Sequence, residues 1–316
     1  MNRKFKKIIR RSPLYFVLIL AFLFVIQATE KLDQSKNVFS GSISGSIEDI
    51  TLIKERPPYR NSEVQDINID VQSAISVAVD QDNNNKVLFK KDEQKKLSVA
   101  SISKLMTAVI VLDNIELSQK VEISKEVQKL GGDREPLKAG ESFFAKDLLY
   151  AMLIGSDNSA AGAFSELIGE ERFIELMNGK AEEIGLFDTS FLNPTGLSLD
   201  NFSTSKDLSK LAQYLFKEYP LILKITTTPE FDLYTADGKV LHKITNTDKL
   251  LKESSDFQER IIGSKTGETR TAGECLLLVL KAKDDKSYII NIILNSKDRF
   301  GDTKKIIDWL DSAYQW

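Results

Sequence analysis

Apolar and polar positions recur along this chain with periods that place most of its regular elements. Residues 74–79 (Ala-Ile-Ser-Val-Ala-Val) read as a strand, and residues 87–89 as a second one. The run Asp-Gln-Asp-Asn-Asn-Asn at 80–85 supplies turn chemistry between them, so the pair predicts a hairpin. Residues 104–112 are apolar on nearly every face, the mark of a helix buried all round. Helical spacing recurs at 146–153, 160–168, 172–184 and 206–216. Two late strands, 274–281 and 287–295, flank a turn at Asp284-Asp285. Residues 303–314 close the chain with one apolar stripe of Ile306, Ile307, Leu310 and Tyr314. A hairpin, then helices, then a hairpin and a helix predict an α/β (α+β) body whose two ends share one antiparallel sheet. No internal repeat is visible.

Ahead of this body the pattern changes. Arg3, Lys4, Lys6, Lys7, Arg10 and Arg11 precede the uncharged stretch 14–26, with no acid among the first eleven residues. A basic segment followed by an apolar one reads as an export leader. A spanning helix needs roughly 17–25 residues, and residues 13–29 just reach the lower limit. Ile26 is a poor small-residue position for cleavage after Ala28, so an uncleaved signal anchor is favoured over a cleaved signal peptide. Its basic side stays in the cytoplasm and the body lies outside. Residues 30–68 hold Gly41, Gly45, several serines and Pro57-Pro58 without a sustained period. Such a stretch reads as a tether; the alternative is an extension packed on the body. The expected division is 1–29 leader, 30–68 linker and 69–316 catalytic domain.

Composition narrows the chemistry. One histidine (His242) and one cysteine (Cys275) among 316 residues exclude imidazole-rich metal sites, zinc modules, iron–sulfur ligation and intrachain disulfides. The net charge of −3 sits on an acidic body behind a basic leader, which argues against nucleic acid as a partner.

Three short motifs then stand in order: Ser101-Ile102-Ser103-Lys104, Ser156-Asp157-Asn158 and Lys265-Thr266-Gly267. Together S-x-x-K, S-D-N and K-T-G are the signature of class A β-lactamases and penicillin-binding proteins. Each alone is weak: Ser203-Thr204-Ser205-Lys206 repeats the first, and Ser35-Lys36-Asn37 is a decoy S-x-N. Only one ordered set exists. The residue types suit the task. A serine hydroxyl needs a base. Lys104 lies one helical turn from Ser101, and burial or a second cation such as Lys265 can lower its proton affinity. The N-terminus of the apolar helix favours charge developing at Ser101.

On these motifs the sequence resembles the serine D-alanyl-D-alanine carboxypeptidases, the low-molecular-mass penicillin-binding proteins. The likeness runs from about Ala74 to the C-terminus. It includes Phe191-Leu192-Asn193-Pro194-Thr195-Gly196-Leu197, Asn246-Thr247-Asp248-Lys249-Leu250-Leu251 and Asp298-Arg299-Phe300. The resemblance implies a β-lactamase/transpeptidase-like fold with a helical subdomain. It implies that Ser101 attacks the D-Ala-D-Ala bond of a peptidoglycan stem peptide, that Lys104 takes its proton, and that Ser156 relays a proton to the leaving amine. It further implies that Asn158 holds the substrate amide and orients Lys104. Lys265, Thr266 and Gly267 would bind the terminal end, and the N–H groups of Ser101 and Glu268 would form the oxyanion hole. It implies β-lactams as covalent inhibitors, no metal or cofactor, and action at the outer face of the cytoplasmic membrane.

The chain departs from the family pattern at Asp157, Ser159 and Thr195. Glu268 adds an acid beside a carboxylate site, with Arg270 expected to offset it. No counterpart is expected of the C-terminal β domain of the larger carboxypeptidases. A D,D-endopeptidase remains the near alternative. A β-lactamase is disfavoured because Glu175, the tempting deacylating acid, reads as a helix face; a silent wall-binding protein is disfavoured because all three motifs are intact. His242, within a strand-like stretch at 238–245, and Cys275 read as structural residues, and Trp309 and Trp316 as packing.

Overall fold

The computed structural model describes residues 57–131, 137–253 and 256–316. Its centre is a five-stranded antiparallel sheet. The strands are β1 (Ser73–Val79), β2 (Asn85–Lys91), β3 (Ile261–Thr269), β4 (Gly273–Lys281) and β5 (Tyr288–Ser296), in the order β3-β4-β5-β1-β2. The first hairpin therefore joins the last one: Ala78 lies opposite Ile289, and Ile75 opposite Ile292. The inner strands β1, β4 and β5 carry near-continuous apolar runs because both faces are covered. On β4, Cys275, Leu277 and Val279 face the helical side, while Leu276, Leu278 and Leu280 join Ile306, Ile307 and Leu310 of the last helix. That two-residue alternation across a pleated sheet divides the molecule into two hydrophobic layers.

The helical layer lies between β2 and β3 in sequence. It holds α1 (Lys104–Asn114), α2 (Ala145–Ile154), α3 (Asn158–Ile168), α4 (Glu170–Glu183), α5 (Ser205–Glu218) and α6 (Pro220–Thr226); α7 (Arg299–Ala313) covers the other face. Residues 104–111 of α1 are all buried, which matches their apolar run. Asp157, Thr204 and Asp298 cap α3, α5 and α7 by accepting from Ala160, Asp207 and Gly301 N–H groups, each cap stabilising its helix by about 1 kcal/mol. Glu175 lies exposed on α4 and pairs with Arg172 at 3.1 Å.

Two regions differ from the sequence reading. Helix α6 and the hairpin Glu230–Tyr234/Val240–Thr245 occupy a stretch where only a strand near 238–245 was legible. Phe231 meets the ring of Tyr150 on α2 at 4.6 Å, and Ala236 N donates to Ser142 O at 2.7 Å, so the hairpin is fastened to the helical layer. The tether expected to reach residue 68 also needs correction over its last dozen residues. Tyr59–Arg60 pairs with Tyr314–Gln315. The Arg60 guanidinium lies 5.3 Å from the Trp309 ring centre, and Trp309 Nε1 donates to Gln65 O at 2.8 Å. Pro57–Trp316 forms one compact unit. The leader and residues 30–56 lie outside the described residues; among those described, no helix is long and apolar enough to cross a membrane.

Candidate active site

Ser101 sits on the single turn Ala100–Ser103 that leads into α1. Ala100 has a left-handed backbone, φ 48°, a conformation that a non-glycine residue holds only where its surroundings impose it. The surroundings are visible at two glycines. A Cβ on Gly196 (φ 83°) would fall 1.9 Å from Ala100 O, and one on Gly267 would fall 2.8 Å from Val99 O. The turn is thus wedged between the loop at 193–197 and edge strand β3, and only glycine permits the approach from either side.

Lys104, the first residue of α1, is fully buried. Its Nζ lies 2.9 Å from Ser101 Oγ, 2.7 Å from Asn158 Oδ1 and 2.6 Å from Thr195 O. Burial holds its proton affinity well below the ordinary lysine range. The charge of Lys265 lowers it further, and Asp157 works in the opposite direction. Burial also pushes the Asp157 carboxyl upward against the hydrogen bond it accepts from Ala160 N.

Ser156 precedes α3 with φ 60° and meets Lys265 Nζ at 3.0 Å. Lys265 and Thr266 belong to β3, whose position is fixed from outside by the segment before it. Thr247 Oγ1 lies 2.6 Å from Thr266 Oγ1, and Ser264 Oγ donates to the buried Asp248 carboxylate. Asn246 Nδ2 donates to Thr226 O and Thr228 O. From α7, Arg299 Nη1 donates to Gly267 O at 2.9 Å, and Nη2 to Glu268 Oε2 at 3.1 Å. Arg299 is therefore the cation that meets Glu268, in place of the sequence neighbour Arg270.

The residues of the three motifs and Glu268 gather in one place. Ser101, Ser156, Asn158, Thr266, Gly267 and Glu268 line a single open cleft of about 750 Å³. Lys104 and Lys265 lie beneath it, each bonded to one of its serines. Sequence reasoning assigned nothing to the Thr195 carbonyl or the Thr247 hydroxyl. The two loops that carry them resemble family segments, and that was the available signal. His242 is half-buried on the hairpin beside the cleft, where it lines an adjoining cavity together with Asp157. Cys275 is buried, its thiol pushed up to about 11 by desolvation. Among the described residues no cluster of His, Cys, Asp and Glu is placed to hold a metal ion.

The chain as a whole is similar to known proteins. The family profile described as D-alanyl-D-alanine carboxypeptidase, peptidase S11, matches residues 60–298. The chain belongs to that family. It is 34% identical over 251 residues to the D-alanyl-D-alanine carboxypeptidase DacF of Bacillus subtilis, a match that covers 76% of this chain and 62% of the relative's length. It is 31% identical over 245 residues to a D-alanyl-D-alanine endopeptidase of Pseudomonas aeruginosa, covering 75% of this chain and 77% of that one. Penicillin-binding protein D2 of Listeria monocytogenes, solved with ampicillin bound, is similar in structure. Its TM-score is 0.66 at 26% identity, over 78% of this chain and 99% of that one.

Proposed function

We propose that this protein is a serine D-Ala-D-Ala carboxypeptidase that trims peptidoglycan stem peptides through an acyl-enzyme. The observation that carries the reading is the buried Lys104 amine 2.9 Å from Ser101 Oγ. Depressed proton affinity brings an amine closer to serving as a base near neutral pH. As a neutral group it has two N–H bonds, for Asn158 Oδ1 and Thr195 O, and one lone pair, which then faces the Ser101 hydroxyl.

In the proposed sequence, Ser101 Oγ bonds to the carbonyl carbon while its proton passes to Lys104. The N–H groups of Ser101 and Glu268 stabilise the oxyanion, each by a few kcal/mol. The C–N bond breaks, and the leaving amine takes a proton through Ser156, which Lys265 orients. Asn158 holds the substrate amide, and Lys265 and Thr266 hold the terminal carboxylate. Gly267 lets the substrate lie along β3. Water then opens the ester, releasing the shortened peptide and Ser101. The Arg299–Glu268 pair draws the Glu268 charge away from the incoming carboxylate.

The similarity to endopeptidases of comparable length supports a second reading, cleavage of cross-links by the same chemistry. A family that acts on peptidoglycan works outside the cytoplasm, and residues 13–29 would hold the body to the membrane from that side. Labelled penicillin tests the site: intact mass should gain one equivalent, and Ser101→Ala should gain none. Incubation with a stem pentapeptide should release free D-alanine. An intact Ser101 that takes no penicillin and releases no D-alanine would overturn the proposal.

A further inference from the structure

A second cavity, of about 610 Å³, opens beside the catalytic cleft. The two share four lining residues: Gly155, Asp157, Thr247 and Lys249. These flank Ser156 and lie next to Thr266, whose hydroxyl is 2.6 Å from that of Thr247. The opening is thus at the end where the leaving amine and the terminal carboxylate go. Ser101 and Asn158, which meet the acyl side of the substrate, do not line it.

The annex has a definite chemistry. Its apolar wall is Ala151 and Ile244, and His242 stands on the hairpin side. A Cβ on Gly155 would fall 2.7 Å from Ile244 Cγ2, so a bare glycine is required where the hairpin meets the second motif. Three ammonium groups, from Lys243, Lys249 and Lys252, also line it. Lys243 and Lys252 share one carboxylate, Glu230, at 3.3 and 3.7 Å. The other carboxyl present is Asp157, which is engaged as the cap of α3 by accepting from Ala160 N, so three ammonium groups face two carboxyls. Positive charge is therefore in excess over an aliphatic surface, and the space far exceeds what an alanine methyl fills.

We propose that this annex is a leaving-side subsite for a substrate whose departing residue carries a carboxylate on an aliphatic side chain. It rests on the acyl-serine reading above, because that reading fixes which end of the cleft holds the leaving group. A cross-link whose bridging diamino acid keeps a free carboxyl on its side chain presents such a group at this position, where a departing D-alanine presents a methyl. The subsite extends the reaction from trimming toward the release of an acidic peptide branch.

The test uses full-length protein and three synthetic peptides, diacetyl-L-lysyl-D-alanyl followed by D-alanine, D-glutamate or D-lysine. The readout is the ratio of kcat/KM for D-glutamate to that for D-alanine. A partly exposed charge pair is worth roughly two- to fivefold in such a ratio. Lys249→Gln should lower it by about that factor, and Lys243→Gln with Lys252→Gln should lower it again. Lys249→Glu should shift preference toward D-lysine, which a folding defect does not do. An unchanged ratio in all variants overturns the subsite. So does a wild-type protein that cleaves the D-alanine peptide and not the D-glutamate one. Failure on all three peptides, with no penicillin adduct, overturns the acyl-serine reading and this inference with it.

Discussion

Lys104 concentrates the chemistry at the scale of single residues. Its environment sets a sign that can be measured. Burial and Lys265 keep the amine deprotonated to lower pH than an ordinary lysine, whereas Asp157 opposes them. Acylation should rise with pH as Lys104 loses its proton. Asp157→Asn removes the opposing charge, so the acidic limb of the penicillin acylation profile should move to lower pH. Asparagine caps helices as well as aspartate does, so α3 should survive. A limb that stays in place or moves upward would refute this account of the lysine. The pairing of Ser101 with Lys104 was legible in the sequence because three-residue spacing on a helix forces it. The third partner, Thr195 O, was not, because every residue carries a backbone carbonyl and no side chain announces its use. Arg270 was the natural partner for Glu268 by proximity along the chain, yet β3 ends at Thr269 and Arg270 lies in the turn beyond it, while α7 supplies Arg299.

At the scale of elements, the turn Ala100–Ser103 is held by contact with the loop at 193–197 and with β3, not by hydrogen bonding alone. Gly196→Ala would force a Cβ into Ala100 O from a left-handed backbone. Strain of that kind costs about 1–3 kcal/mol. The expected outcome is a lowered thermal midpoint together with slowed penicillin acylation. A drop in one without the other would separate stability from site geometry. The expected helices appear within a few residues of their predicted limits because their apolar stripes are long. The run at 220–226 was opaque: Pro-Leu-Ile-Leu-Lys-Ile-Thr mixes helix-starting proline with β-branched residues, and short apolar runs do not distinguish helix from strand. The hairpin beyond it alternates poorly because the structure buries one of its sides only in part.

For the whole molecule, the shared sheet makes the two ends of the body interdependent. The contribution of residues 57–68 escaped the sequence because two-residue strands leave no period to detect. A protein starting at residue 69 should unfold at a lower temperature than one starting at residue 57. The missing pieces are the Arg60 contacts with Trp309 and Tyr314 and the Trp309–Gln65 hydrogen bond, about 2 kcal/mol together. Equal midpoints in calorimetry would mean that the segment only decorates the surface.

The sealed thiol of Cys275 has a practical reach beyond packing. A protein working outside the cytoplasm with one cysteine, lodged in β4 and far from thiolate form at neutral pH, needs no oxidative folding machinery. It also resists mixed-disulfide formation, since the thiolate is the reactive species. The same feature makes the wild-type chain a silent background for thiol labelling. A cysteine introduced at Lys249 would be the sole readily alkylated group, and a fluorophore attached there would report on occupancy of the annex and the cleft without any further substitution.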